Sequence, residues 1–377
     1  MKIGIVLGTR PEIIKLSPVI RELEKLKENI DYFVIHTNQH YSENLNRVFF
    51  KELNLPEPKY NLKVGSASHG KQTGMMLEGI EEVLIREKPE IVVVQGDTNT
   101  TLAGALASTK LGIEVAHVEA GLRSYDRSMP EEINRVLTDH ISNYLFVPTE
   151  VAEENLRREG ITENVFLVGN TVVDATFQNI KIAEEKKEEI FEGEMLDIVK
   201  GGDYFLLTIH RAENTDNSRK LKSIVEGILK VAECYDETVI FPLHPRTEGK
   251  LKEYHLWDKL KKNKNIKMLE PTGYFKFLIL EKYAKLILTD SGGVQEEACI
   301  LKVPCITLRK NTERPETLEV GSNILVDIER ENILEAVDSM LRRNRNWENP
   351  FGDGRSGERI VKILSESYNL SIKNEKE

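Results

Sequence analysis

Short runs of apolar residues, rich in Val and Ile, alternate along the chain with longer amphipathic segments. The apolar runs are continuous, which is typical of strands in a parallel sheet that helices cover on both faces. In the first half of the chain, strands are predicted at residues 2–8, 31–37, 91–96, 114–119, 144–148 and 165–169. Helices are predicted between them at residues 12–27, 71–87, 99–111 and 131–142, where apolar residues recur with helical spacing.

A long charged segment at residues 174–200 interrupts this pattern and predicts a single helix. The alternation then resumes, with strands predicted at residues 204–209, 238–243, 266–269, 286–289, 304–308 and 323–326. We therefore expect an α/β protein made of two Rossmann-like doubly wound domains, residues 1–170 and 171–354, facing a cleft. An amphipathic segment within residues 355–377 follows a glycine-rich turn and is expected to pack back on the N-terminal domain.

The amino-acid composition of the chain disfavours some classes of binding partner and indicates the cellular compartment. A formal net charge of -10 disfavours binding to nucleic acid or to an anionic membrane surface. No apolar run approaches the roughly 18 residues needed to span a bilayer. The three cysteines show no C-x-x-C spacing and the eight histidines no metal-ligand spacing, so we expect neither disulfides nor a bound metal. These features favour a cytoplasmic protein in a reducing compartment.

In the first half of the chain, polar residues of the kinds used in binding and catalysis follow several predicted strands. Ligands of open parallel sheets bind at the carboxyl ends of the strands. Arg10 and Lys15 follow the first strand and would place two cations beside a helix N-terminus, a position suited to an anion. Asp97 and Glu119 follow two later strands, and Glu131 opens a helix. Solvated charges and helix capping are the structural alternatives for these residues.

The second half of the chain contains a more specific motif for ligand binding. The segment Asp290-Ser291-Gly292-Gly293 ends a strand and opens a helix, so that free backbone N–H groups could bind a diphosphate. Glu297, one helical turn further on, could accept hydrogen bonds from ribose hydroxyls, and Arg314 adds a cation. His210 and His244 each follow a strand with an Arg nearby. Neither the G-x-G-x-x-G fingerprint nor a phosphate loop of the G-x-x-x-x-G-K-[ST] type occurs, so no dinucleotide cofactor is expected.

Eight motifs in this order resemble the non-hydrolysing UDP-N-acetylglucosamine 2-epimerases over almost the whole chain: GTRPEIIK, QGDT, HVEAGLRS, PEEINR, GNTVVDA, IHRAEN, DSGGVQEE and TERPE. The resemblance implies a glycosyltransferase-B-type fold that binds a UDP-sugar substrate in its cleft, a homodimer and a role in polysaccharide biosynthesis. It implies catalytic roles for Asp97, Glu119, Glu131 and His210. The residues that it implies for substrate binding are Arg10, Lys15, Phe277, Ser291, Gly292, Gly293, Glu297 and Arg314.

Some members of this family bind a second UDP-N-acetylglucosamine as an activator, and the resemblance extends to that site. Gln39, His40, Arg211 and His244 match it, whereas Ser42 and Lys71 stand where relatives have a Gln and an Arg. A further departure is Thr272, upstream of Phe277, where bacterial relatives often have Gln; the resemblance therefore does not extend to a uracil contact at this position.

The implied reaction is consistent with the absence of a dinucleotide fingerprint from the sequence. C2 of the sugar has no adjacent carbonyl, so its proton is not removable directly. Expulsion of UDP from C1 with loss of the C2 proton gives 2-acetamidoglucal, and re-addition with protonation on the other face inverts C2. Cations would stabilise the leaving diphosphate, and two acid/base groups would serve the two faces. A retaining glycosyltransferase, a hydrolysing epimerase and a non-catalytic UDP-sugar sensor are the alternatives.

Overall fold

The computed structural model describes residues 1–39, 49–328 and 330–374 and divides into two compact units. Unit 1 consists of Met1–Phe177 and Phe351–Glu377, and unit 2 of Gln178–Pro350. Each unit contains one parallel sheet with helices packed against it. No helix within the described residues has both the length and the apolar character required to cross a membrane.

The sheet of unit 1 has its strands in the spatial order β3-β2-β1-β4-β5-β6-β7, all parallel. This is the order of a doubly wound sheet, in which the chain changes direction between β1 and β4. The strands are β1 (Lys2–Leu7), β2 (Asp31–His36), β3 (Tyr60–Asn61), β4 (Ile91–Gln95), β5 (Glu114–Val118), β6 (Tyr144–Val147) and β7 (Val165–Leu167).

The helices of unit 1 connect these strands and cover the sheet. They are α1 (Arg10–Lys25), α2 (His69–Glu87), α3 (Asn99–Lys110), α4 (Pro130–Ile141) and α5 (Glu150–Arg158). Helix α6 (Thr171–Glu185) begins in unit 1 and ends in unit 2. The central strand β1 is fully buried from Ile3 to Leu7, which explains its continuous apolar sequence.

Unit 2 repeats the same winding with six strands in the order β10-β9-β8-β11-β12-β13. They are β8 (Tyr204–Thr208), β9 (Thr238–Pro242), β10 (Ile266–Leu269), β11 (Leu286–Thr289), β12 (Cys305–Thr307) and β13 (Asn323–Leu325). The helices are α7 (Lys187–Ile190), α8 (Gly193–Gly201), α9 (Ala212–Thr215), α10 (Ser218–Tyr235), α11 (Pro245–Glu253), α12 (Trp257–Lys262), α13 (Tyr274–Tyr283), α14 (Gly292–Ile300), α15 (Pro315–Glu319) and α16 (Arg330–Leu341).

The last helix, α17 (Ser356–Asn374), belongs to unit 1 and packs against α1. Gly357 makes the close approach possible, because a Cβ atom built there would lie 2.9 Å from the backbone of Pro18. The backbone N–H of Gly357 also donates to Asp174 at 2.9 Å. A small residue and a buried hydrogen bond thus fix the start of α17 on unit 1.

The charged segment 174–200 does not form the single helix that its composition predicts. It contains the end of α6, the short helix α7 and helix α8. Phe191 separates α7 from α8 in an extended conformation and is 1% exposed, and Gly193 has a φ of 54°. Burial of this one aromatic side chain therefore outweighs the helix propensity of the charged residues around it.

Candidate active site

Three neighbouring strands of unit 1 bring the candidate groups of that unit to one edge of its sheet. Strands β1, β4 and β5 are adjacent, so the segments that follow them, with Arg10, Asp97 and Glu119, lie side by side. Gly8 is required in the first of these segments. A Cβ atom there would lie 2.1 Å from the Thr37 hydroxyl oxygen and 2.3 Å from that of Thr100.

Glu119 is the most constrained of these residues. Its φ of 70° is unusual for a residue with a side chain and carries a strain of about 1 kcal/mol or more. The residue is 8% exposed, and its carboxylate accepts hydrogen bonds from the Lys15 ammonium at 2.7 Å on both oxygens and another from the Gln95 side chain. The structure therefore joins two predicted site residues, Lys15 and Glu119, in one ion pair.

Asp97 is held by a residue that sequence reasoning missed. The Arg135 guanidinium forms an ion pair with the Asp97 carboxylate and a second one, at 3.0 Å, with Glu132. The Asn134 side chain also donates to the Asp97 carbonyl oxygen at 2.9 Å. Arg135 lies one helical turn after Glu131 in the segment PEEINR, and that spacing is the signal that could have pointed to it.

The two adjacent acids of α4 have different environments. Glu132 is 3% exposed and accepts hydrogen bonds at 2.9 Å from Ser124 and from the Tyr125 N–H. Burial opposes ionisation of Glu132, but these bonds and Arg135 outweigh it and lower the pKa of its carboxyl group. Glu131 is exposed, and the described residues give it no hydrogen bond. Glu132 therefore holds the preceding loop, whereas the carboxylate of Glu131 is available to a substrate.

Of the remaining predicted residues of unit 1, Arg10 and Gln39 are among the described residues. Arg10 lies with its guanidinium 5.5 Å from the centre of the Phe49 ring. Gln39 is 6% exposed and its side chain accepts a hydrogen bond from Thr100 at 2.9 Å. His40, predicted for a second ligand site, and Ser42 lie outside the described residues. The bond from Thr100 fixes the orientation of the Gln39 side chain.

In unit 2, a buried carboxylate organises the segment that carries His210. Asp290 has no exposed surface and accepts hydrogen bonds from the backbone N–H groups of His210 and Arg211, both at 3.0 Å, and from the Asn214 side chain at 3.1 Å. The His210 ring nitrogen Nδ1 lies 3.1 Å from the same carboxylate. Burial opposes ionisation of Asp290, but these donors prevail and lower the pKa of its carboxyl group.

The turn Ser291–Gly293 lies directly after Asp290 and opens α14. Helix α14 begins at Gly292, so backbone N–H groups of its first turn have no partner within the helix. A Cβ atom at Gly293 would meet nothing within 4 Å, and one at Gly292 only the Glu313 carboxylate at 3.7 Å. Space is therefore open in front of a helix N-terminus, as a bound phosphate requires. Arg314 forms an ion pair with the buried Glu296 at 2.8 Å.

A pocket of about 240 Å³ brings several predicted residues of unit 2 together. Its lining combines apolar surface with a few polar groups, which is the usual character of a ligand site. Predicted residues in the lining are His210, His244, Phe277 and Ser291, together with Thr272. The rings of His210 and His244 are 5.8 Å apart, and burial together with the neighbouring charge of His210 lowers the pKa of His244.

Glu297 lies on α14 beside a second acid that sequence reasoning missed. Glu281 has no exposed surface, and its burial, together with the charge of Glu297, raises the pKa of its carboxyl group well above the usual range. The two carboxyl groups therefore interact, and Glu281 holds its proton more tightly than an exposed acid does. A partly exposed carboxylate on α14 can accept hydrogen bonds from a diol.

Comparison with known proteins identifies the family. The sequence model of the UDP-N-acetylglucosamine 2-epimerase family matches residues 21–365. The chain belongs to this family. It is 68% identical over 366 residues to UDP-N-acetylglucosamine 2-epimerase of Methanocaldococcus jannaschii, covering 97% of this chain and 99% of that one. It is 62% identical over 364 residues to UDP-N-acetylglucosamine 2-epimerase of Methanococcus maripaludis, covering 96% and 98%.

A crystal structure of the M. jannaschii epimerase in complex with UDP-GlcNAc and UDP has the same fold. The TM-score is 0.84 at 67% identity, over 97% of this chain and 99% of that one. The predicted family and the predicted glycosyltransferase-B-type fold, with two parallel α/β units, are thereby confirmed, and the protein is an epimerase.

Proposed function

We propose that the protein interconverts UDP-N-acetylglucosamine and UDP-N-acetylmannosamine by elimination and re-addition of UDP. The observation that supports this most directly is the set of groups at one sheet edge of unit 1. Two carboxylates, Asp97 and Glu119, are each paired with a cation there, and Glu131 has its carboxylate free among the described residues. Proton removal and return on two faces of a carbon needs acid/base groups of this kind.

The reaction proceeds in two balanced steps. A carboxylate takes the proton from C2, the C–H electron pair forms the C1=C2 double bond, and the C1–O bond breaks with its electrons leaving on UDP. The products of this step are 2-acetamidoglucal and UDP. In the second step a protonated group delivers a proton to the opposite face of C2, and a diphosphate oxygen attacks C1. Each step is redox-neutral by itself, because elimination and addition transfer no hydride, so no hydride carrier is needed.

Unit 2 supplies what the leaving group requires. The open turn Ser291–Gly293 offers backbone N–H groups to the diphosphate, and His210 and Arg314 add polar or cationic side chains. Fixed donors of this kind stabilise negative charge as it develops and lower the barrier to C–O cleavage. Phe277 lines the pocket of unit 2, where it offers an apolar ring surface to the uracil. Glu297 is the proposed acceptor for the ribose hydroxyls.

The test is NMR of the purified protein with UDP-N-acetylglucosamine in heavy water, without added nucleotide cofactors. We expect the manno epimer to form with deuterium at C2. Free N-acetylmannosamine with accumulating UDP would indicate a hydrolysing epimerase, and UDP release only after addition of an acceptor would indicate a glycosyltransferase. Binding without exchange at C2 would indicate a sensor. Each of these three results would refute the proposal.

We further propose that the enzyme is cytoplasmic and works as a homodimer. Light scattering at micromolar concentration would test the dimer directly.

Activation by a second substrate molecule is also proposed, through Gln39, His40, Arg211 and His244. Rates with UDP-N-acetylmannosamine should then be sigmoidal, and traces of the other epimer should make them hyperbolic. Hyperbolic rates without that addition would contradict activation.

A further inference from the structure

A buried hydrogen-bonded cluster connects the segments that carry the candidate carboxylates of unit 1. His117, on β5, and Asp139, on α4, are 0% and 1% exposed. The His117 ring nitrogen Nδ1 lies 2.7 Å from Asp139, and its other nitrogen, Nε2, lies 2.8 Å from the Gly96 carbonyl oxygen. Arg123 donates to Asp139 at 2.6 Å, and the Gly121 N–H donates to it at 3.1 Å.

The hydrogen-bond partners of His117 determine the orientation of its ring. A carbonyl oxygen such as that of Gly96 only accepts hydrogen bonds, so Nε2 must carry a proton. Asp139 is ionised, because the charges and hydrogen bonds of His117 and Arg123 outweigh the effect of burial and lower the pKa of its carboxyl group. Nδ1 therefore also faces an acceptor. Both ring nitrogens are therefore engaged, and the ring is fixed between Asp139 and the Gly96 carbonyl oxygen.

Each hydrogen bond of this cluster ends beside a segment that carries a candidate acid or base. Gly96 immediately precedes Asp97, so the bond from His117 fixes the peptide plane that leads into Asp97. His117 and Gly121 flank Glu119 at a distance of two residues on either side, and both are bonded to Asp139. Asp139 itself lies on α4, whose first turn carries Glu131. Three segments that are distant in sequence thus meet at one buried hydrogen-bonded pair.

We propose that His117 and Asp139 are positioning residues that set the relative placement of Asp97, Glu119 and Glu131. This inference rests on the proposed function, since it assigns the purpose of the cluster to acid/base chemistry at C2. The pair touches no substrate. It acts by holding the three segments in register, so that the three carboxylates keep their placement relative to C2 of the sugar.

The test compares His117→Gln and Asp139→Asn with His140→Gln, a control in which the same substitution is made at an exposed site of α4. Misplacement of catalytic groups by about 1 Å costs about 100-fold in rate. We therefore expect kcat for C2 exchange to fall about 100-fold in both variants, with KM within about threefold of wild type. The control should keep wild-type kcat. Circular dichroism at the assay temperature corrects for any unfolded fraction.

A role in folding alone would lower the folded fraction without changing kcat per folded molecule, and that result would overturn the proposal. A readout independent of activity is NMR of protein with 15N-labelled histidine rings. We expect a hydrogen-bonded Nε2–H signal from the His117 ring that is absent in His117→Gln and is displaced in Asp139→Asn. A His117 ring signal that stays unchanged in Asp139→Asn would overturn the coupling of the two side chains, and the positioning role with it. Wild-type enzyme without exchange at C2 would instead refute the proposed function, and the positioning role with it.

Discussion

Replacement of Asp290 should weaken unit 2 by an amount that follows from its hydrogen bonds. In Asp290→Ala, the N–H groups of His210 and Arg211 and the amide of Asn214 lose a fully buried acceptor. An unsatisfied buried donor costs about 1–3 kcal/mol. His210 is 37% exposed on its side chain, so water can reach part of this site. We therefore expect a loss of about 3 kcal/mol in the free energy of unfolding, and about 2 kcal/mol for Asp290→Asn, which keeps one acceptor oxygen.

The assay uses the position of the tryptophans. Both of them, Trp257 and Trp347, lie in unit 2, so urea unfolding followed by tryptophan fluorescence reports on that unit. Asp203→Asn, at an exposed site of the same unit, is the matched control and should change the unfolding free energy by less than about 0.5 kcal/mol. A loss below about 1 kcal/mol in Asp290→Ala would refute the reasoning.

The same change has consequences for pH dependence and for binding. Because the folded-state pKa of Asp290 is depressed, its contribution to stability is present above the ordinary value of 3.8 and is lost as the pH falls through the folded-state value. Asp290→Ala should therefore remove part of the acid sensitivity of unit 2. Affinity for UDP, measured by calorimetry, should fall about tenfold, because His210 and Arg211 lose their common anchor.

Further predictions concern unit 1. Asp97→Asn and Glu131→Gln should each lower turnover by about 100-fold or more while UDP affinity stays unchanged, since the proposed UDP groups lie in unit 2; near-normal turnover in both would contradict the acid/base assignment. Burial lowers the pKa of His36 to about 4 and raises that of Glu12 to about 7. Between about pH 4.5 and 6.5, the contribution of His36 to the free energy of unfolding should therefore increase with pH, and the contribution of Glu12 should decrease. His36→Phe should therefore leave a falling profile and Glu12→Gln a rising one, measured by urea unfolding with circular dichroism; unchanged slopes would contradict this. Lys15→Met should destabilise unit 1 by about 2–4 kcal/mol, less in a Glu119→Gln background, and additive losses would refute the ion pair.

Most of the fold could be predicted from the hydrophobic pattern because long apolar runs depend on local sequence. The predicted strands from 2–8 to 323–326 are all present, with ends that differ by one or two residues. Strand β3 was missed because two residues are too few to form a recognisable pattern. The break at Phe191 was missed because the burial of one aromatic residue depends on its neighbours in space rather than on the composition of segment 174–200.

The positions of the candidate carboxylates could be predicted, but their partners could not. A polar residue after a buried strand is visible in the sequence, as for Asp97 and Glu119. The pairing of Arg135 with Asp97, or of His117 with Asp139, depends on the adjacency of β4, β5 and α4 in space. Local pattern alone treats Glu131 and Glu132 alike; the family resemblance singles out Glu131, and the burial of Glu132 shows how the two environments differ.

The central claim is that the bond between C1 and the diphosphate oxygen breaks during every inversion at C2. The most direct measurement uses UDP-N-acetylglucosamine with 18O in the bridging position between C1 and the β-phosphorus, followed by 31P NMR during turnover. If UDP is released and re-added, the label moves from the bridging into the non-bridging positions of the β-phosphate at a rate comparable to epimerisation. Full epimerisation with the label still entirely in the bridge would contradict the account.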